Sequence, residues 1–264
     1  MDPGPDWKFL GEGWCSRVYL VNDELVFKFP KHAEAWKELL REIRFLEFAA
    51  DKLPLAVPRY VHVAPDYAVY RYLRGRAIDP DAADADTLAM FLRALHGLDP
   101  DPELREMLPC EDRRAIAEEY FERTERAVVP KLLTHEAARL RQEFEMYLST
   151  PENFVVRPVV LHGDFAADHI LAEDDSIKAV IDFGDVSWGD PDYDFMYLFA
   201  DLGWVFVEKV ARSYGHPDLE RLRRKCRYFA IVDQIGTIVD GPGQALAGQE
   251  NTAWRRLRRF LRDD

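Results

Sequence analysis

A chain of 264 residues and 30.7 kDa, 48% hydrophobic and 31% charged, has the composition of one large folded domain or two modest ones. Its 48 Asp and Glu against 35 Lys and Arg leave a formal charge of −13, and a surface that acidic repels nucleic acid and attracts cations. No apolar run is long enough to span a membrane, and the opening Met1-Asp2-Pro3-Gly4-Pro5-Asp6 lacks the basic and apolar parts of a secretion signal. Three scattered cysteines, Cys15, Cys110 and Cys226, suit a reducing cytoplasm and exclude a disulfide scaffold. The expected setting is the cytoplasm, without nucleic-acid or membrane partners.

In chain order, Trp7 to Leu10, Arg17 to Val21 and Leu25 to Phe29 read as short strands, separated by Gly11-Glu12-Gly13 and Asn22-Asp23. Trp36, Leu39, Leu40, Ile43, Leu46 and Phe48 recur at helical spacing, which predicts an amphipathic helix over Ala33 to Lys52. Strands are expected at Arg59 to Val63 and Tyr67 to Tyr72, then a hinge from Tyr72 to Gly75. Beyond it, helices are expected at Asp84 to His96 and over Arg113 to Thr150, the latter broken at Val129-Pro130. Two short apolar runs, Val159-Val160-Leu161 and Ala179-Val180-Ile181, each lead into a polar loop. Helices resume from Phe195, with a loop at Asp240-Gly241-Pro242-Gly243. The expectation is an α+β fold of two lobes, residues 1–72 rich in antiparallel sheet and residues 73–264 mostly helical.

Four features carry chemistry. Gly11, Gly13 and Ser16, between two strands, let backbone N–H groups and a hydroxyl approach a phosphate, although a simple hairpin has the same pattern. Lys28, flanked by apolar strand residues, can project into a cleft if a carboxylate pairs with it. The following helix offers Glu38 and Glu42, and Glu42 is preferred because it lies one turn before Leu46. Next, Leu161-His162-Gly163-Asp164 places a carboxylate in a loop after a strand, where it can accept a hydroxyl proton, and His169 follows as a possible metal ligand. Finally, Ile181-Asp182-Phe183-Gly184-Asp185 ends a second strand with Asp182, a hard oxygen ligand suited to magnesium. One aspartate at a strand end is easily a turn or cap; two such strands below a lysine strand and a glycine loop form a more specific pattern.

In these motifs the chain resembles the aminoglycoside phosphotransferase family, whose fold is that of the two-lobed protein kinases, and the resemblance covers nearly the whole length. Where the family's catalytic loop usually has asparagine, this chain has His169. With Gly189-Asp190-Pro191-Asp192-Tyr193-Asp194-Phe195, that histidine is most similar to the 2″-phosphotransferase branch. The resemblance implies transfer of a phosphoryl group from ATP or GTP, with Mg²⁺, to a hydroxyl of an aminoglycoside by a monomeric enzyme. It implies Asp164 as base, Asp182 and His169 at the metal, and Lys28 on the phosphates while paired with Glu42. His169 would either ligate the ion or hydrogen-bond a bound water or the Asp164 loop. Asp190 would brace the catalytic loop through backbone hydrogen bonds.

Backbone at Arg71, Tyr72 and Leu73 would read the base edge, with Tyr70 or Tyr72 narrowing the pocket. Asp164, Asp185, Asp192 and Asp233 are the expected acceptor contacts, and Asp233 and Asp240 equally fit a solvated helix face. Macrolides and amino alcohols are alternative acceptors, and a nucleotide-binding module without catalysis is a further alternative, disfavoured because Lys28, Asp164 and Asp182 are all present. A protein kinase is excluded, because Gly189-Asp190-Pro191 follows Asp182 too soon for a peptide-docking activation loop.

Overall fold

A computed structural model describes residues 4–79, 84–174, 176–241 and 248–262. Strands β1 (Trp7–Glu12), β2 (Ser16–Val21) and β3 (Leu25–Pro30) precede helix α1 (Ala33–Ala49), followed by β4 (Tyr60–Val63) and β5 (Ala68–Arg71). They form an antiparallel sheet in the order β1-β2-β3-β5-β4. Asn22 and Asp23, both at φ 55°, make the tight turn between β2 and β3, a conformation these two residue types tolerate well. Leu39 and Ile43 of α1 pack on Ala68, so one face of the sheet is covered by this helix. The helix stops at Ala49, short of Lys52, because the Lys52 and Leu53 amides both turn back to the Ala49 carbonyl.

Beyond the Tyr72–Gly75 connection come β6 (Arg76–Ala77), α2 (Ala85–His96), α3 (Pro102–Met107), α4 (Arg113–Ala127) and α5 (Thr134–Ser149). A 3₁₀ turn at Val129–Lys131 separates α4 from α5 where the break is expected. Then follow β7 (Val159–Leu161), β8 (Ile170–Glu173), β9 (Ser176–Val180), β10 (Ser187–Gly189), α6 (Asp194–Leu202), α7 (Trp204–Tyr214), α8 (Leu219–Asp240) and α9 (Gln249–Arg262). Of the loop expected at Asp240 to Gly243, Asp240 ends α8 and Gly241 caps it; Pro242 and Gly243 lie outside the described residues.

Two small sheets, β6-β8-β9 and β7-β10, set the loops after β7 and β9 on a packed base. Phe91 of α2 stacks on Phe165 at 5.6 Å, and Phe183 packs on Phe45 of α1 at 5.7 Å, so the loops after β7 and β9 are anchored by fully buried rings. Among the described residues no helix is long and apolar enough to cross a membrane, and all three cysteines are free thiols.

Candidate active site

The loop after β7 is shaped by a glycine and a buried acid. Gly163 adopts φ 85°, and a Cβ there would lie 2.1 Å from the Asp185 carbonyl oxygen, so only glycine lets the two loops approach this closely. The Asp194 carboxylate accepts hydrogen bonds from the His162 and Gly163 amides, each at 2.9 Å, and lies 3.1 Å from His96 Nε2. Asp194 therefore braces the loop that carries Asp164, which corrects the expectation for Asp190. Asp190 instead accepts from Lys225 Nζ and caps the Asp192 amide at 3.1 Å, deep in the helical lobe. Asp192 is likewise buried, held by Lys225 at 2.7 Å and by His216 Nε2 at 2.8 Å. It lines neither cleft cavity, so its expected acceptor contact is also corrected.

His162 is fully buried; its Nε2 faces the Ile181 carbonyl at 3.1 Å, and burial lowers its pKa to about 4, so the ring stays neutral. His169 points Nδ1 at the Asp164 carbonyl, 2.9 Å away, which makes Nδ1 the protonated nitrogen of the neutral ring. Its Nε2 then faces Asp182 Oδ2 at 3.8 Å. Burial opposes a charge on this imidazole, but Asp164 and Asp182 outweigh it and raise its pKa. Burial pushes the Asp164 carboxyl up to about 7, opposed by His169 and reinforced by Asp185, Asp182 and Asp168.

Asp182 ends the β9 loop in the left-handed region, φ 63°, an uncommon backbone that turns its carboxylate into the cleft. It stays half open, 47% exposed, and accepts from Lys28 Nζ at 2.8 Å. Lys28 also donates to Glu42 Oε2 at 2.8 Å, while the Glu42 side chain is only 1% exposed, so the choice of Glu42 over Glu38 agrees with the geometry. The positive charge of Lys28 holds the Asp182 carboxyl far below its ordinary range. Arg41 Nη2 donates to the Gly184 carbonyl at 2.9 Å, a second tie between α1 and this loop. Among the described residues no three metal-ligating side chains converge. Asp182 and His169 are a pair, one carboxylate and one imidazole 3.8 Å apart.

Two cavities meet at these residues. The smaller, about 490 Å³, is lined by Gly13, Ser16, Lys28, Glu42, Asp164, His169 and Asp182. Gly11 sits at an irregularity in the β1 pairing and lines neither cavity. Arg71, Tyr72 and Leu73 also lie outside both, and the Tyr72 amide is already bonded to the Glu24 carbonyl at 2.8 Å. The larger cavity, about 1070 Å³, opens between α4, α8 and α9; Asp185 and Asp233 line it as expected of acceptor contacts. Asp164 borders both spaces.

Several residues of this site gave no signal in the sequence. Trp14 and Tyr197 line both cavities; Trp14 Nε1 donates to Gln249 Oε1 at 3.0 Å, tying the glycine hairpin to α9. Asp201 accepts from the Ala167 amide at 3.2 Å and steadies the loop after β7 from α6.

Comparison with known proteins agrees with this geometry. The GDP and kanamycin complex of APH(2″)-IIIa is 28% identical, with a TM-score of 0.89 over 98% of this chain and 94% of that one. ADP-bound aminoglycoside phosphotransferase APH(2″)-Ib is 24% identical, TM-score 0.76, over 97% and 92%. Macrolide 2′-phosphotransferase MphH from Brachybacterium faecium shares the fold at 20% identity, TM-score 0.75, over 96% and 91%. The sequence profile of the phosphotransferase enzyme family matches residues 6–227, from the first strand through the catalytic loops into α8. With the lobes, the loop geometry and this match in agreement, the chain belongs to the phosphotransferase enzyme family.

Proposed function

We propose that the protein is a small-molecule kinase that transfers the γ-phosphoryl group of ATP or GTP to a hydroxyl of an aminoglycoside. The observation that carries this reading is the position of Asp164, whose carboxylate follows an apolar strand and lines both the phosphate-sized cavity and the acceptor-sized cavity. In the reaction the acceptor oxygen bonds to the γ-phosphorus as the bond to the bridging oxygen breaks. The nucleoside diphosphate leaves, and the hydroxyl proton passes to an Asp164 oxygen.

The remaining residues position and neutralise. Lys28, held by Glu42, grips the α- and β-phosphates under the hairpin of Gly13 and Ser16. The Tyr72 carbonyl and the Leu73 amide, next to Arg71, are the groups we assign to the base edge. Asp182 and His169 fit magnesium, because one hard carboxylate and one imidazole lone pair face the same space. When bound, the ion neutralises charge on the β- and γ-oxygens. Asp185 and Asp233 receive acceptor ammonium groups. A nucleoside triphosphate donor fits the cytoplasm.

The kanamycin complex of the 28% identical relative supports an aminoglycoside as acceptor. Incubating purified protein with Mg²⁺ and ATP or GTP against aminoglycosides, macrolides and amino alcohols tests the reading. Mass spectrometry should show one phosphoryl group gained by an aminoglycoside hydroxyl. Phosphorylation of the other acceptors alone would contradict the acceptor class and leave the kinase chemistry standing.

A further inference from the structure

The larger cavity neutralises part of its own acidity. Asp240 accepts from the Arg123 guanidinium and from the Tyr120 hydroxyl at 3.2 Å. Glu111 lies 3.4 Å from Arg113, whose guanidinium rests over the Tyr193 ring at 4.1 Å. Both acids therefore have cations before any acceptor arrives. Asp164, Asp185 and Asp233 remain, and Asp164 is reserved for the reacting hydroxyl.

Asp185 and Asp233, neither of them in an ion pair among the described residues, lie beside Tyr197, and Gln234 Nε2 donates to Asp233 at 2.7 Å. The Tyr197 hydroxyl also donates to Asp233, at 3.1 Å, and its ring borders the Asp164 and Asp185 side of the cleft. Burial pushes the carboxyls of Asp185, to about 6, and of Asp233 upward, a cost that an adjacent ammonium removes. At the α9 wall the charge reverses: Arg255 lines the larger cavity but not the smaller, whereas Arg256 borders both. Arg256 is 3.9 Å from Asp201, whereas the Arg255 guanidinium donates to the neutral Thr252 hydroxyl at 3.1 Å. The deep wall is aromatic, with Tyr147 and Tyr228 stacked at 3.7 Å. The larger cavity thus sets Arg255 at its α9 wall and Asp164 and Asp185 where it meets the smaller one.

We infer that this site selects acceptors with one or two ammonium groups beside the reacting hydroxyl and a neutral scaffold beyond them. Further amines at the distal end meet Arg255 and an aromatic wall, so they weaken binding. The inference rests on the aminoglycoside-kinase reading above and adds to it a preference against polyamines.

The test compares two aminoglycosides identical except that one ring, distal to the phosphorylated hydroxyl, carries an amino group in one and a hydroxyl in the other. Such a pair changes charge with almost no change in size. The expected kcat/KM favours the hydroxyl form by about two- to fivefold, the effect of one partly exposed like-charge contact. Arg255→Gln should bring that ratio towards one, and Asp233→Asn should raise KM for both by about tenfold or more. Equal turnover by wild-type protein, or a preference for the amino form, overturns the inference and leaves the kinase reading intact. Failure to phosphorylate either compound removes both.

Discussion

His169 gives Nδ1 to the Asp164 carbonyl, and that one bond decides which nitrogen faces the cleft. An asparagine amide could donate to the same carbonyl and present an oxygen towards Asp182. His169→Asn should therefore fold normally and keep kcat within about tenfold of wild type, the smaller end of effects at supporting ligands. Loss of turnover with unchanged melting behaviour would show that the imidazole itself is required. The Asp164 carboxyl adds a pH dependence of definite sign. Its pKa is raised to about 7 by burial and neighbouring acids, and only the ionised form accepts a proton. On the acid side kcat/KM should fall, approaching tenfold per pH unit below about pH 7, and any cation bound nearby shifts that limb downward. A profile flat from about pH 5 to about pH 8 would place the base elsewhere, Asp168 being the next candidate in the loop.

At the scale of elements, Lys225 of α8 reaches the segment between β10 and α6 and neutralises both Asp190 and Asp192 out of contact with water. Lys225→Met leaves two buried carboxylates short of their cation, which should cost about 3–5 kcal/mol of stability. A melting temperature within error of wild type would refute this role. The same segment shows where sequence reading stops. Asp190, Asp192 and Asp194 alternate along Gly189 to Phe195, and nothing in their spacing says which one faces the catalytic loop. A 3₁₀ turn over Pro191–Tyr193 decides it, sending Asp194 to the His162 and Gly163 amides and the other two to Lys225. The loops carrying Asp164 and Asp182 were legible because each follows an apolar strand and changes texture abruptly. Strands β6, β8 and β10 were not, since two to four residues carry too little periodicity to separate from loop. Trp14, Tyr197 and Asp201 were invisible for another reason: they enter the site only through contacts between elements far apart in the chain.

The whole molecule works as two lobes joined at the cleft by opposite charges. Lys28 bridges Glu42 of the first lobe and Asp182 of the second, Arg41 reaches the Gly184 carbonyl, and Trp14 reaches Gln249. These ties place the glycine hairpin, the lysine and both aspartates around one space, with the acceptor cavity opening beside it. The order of these residues was readable from the sequence, whereas the meeting of two cavities at Asp164 required the folded chain. The central claim is that Asp164 takes the acceptor proton at that junction. The measurement that tests it most directly is the single-turnover rate of phosphoryl transfer by Asp164→Asn, with nucleotide and acceptor saturating and nucleotide affinity measured alongside. The rate should fall by about 10²- to 10⁴-fold with nucleotide binding nearly unchanged. A variant that transfers phosphate at the wild-type rate would contradict the claim.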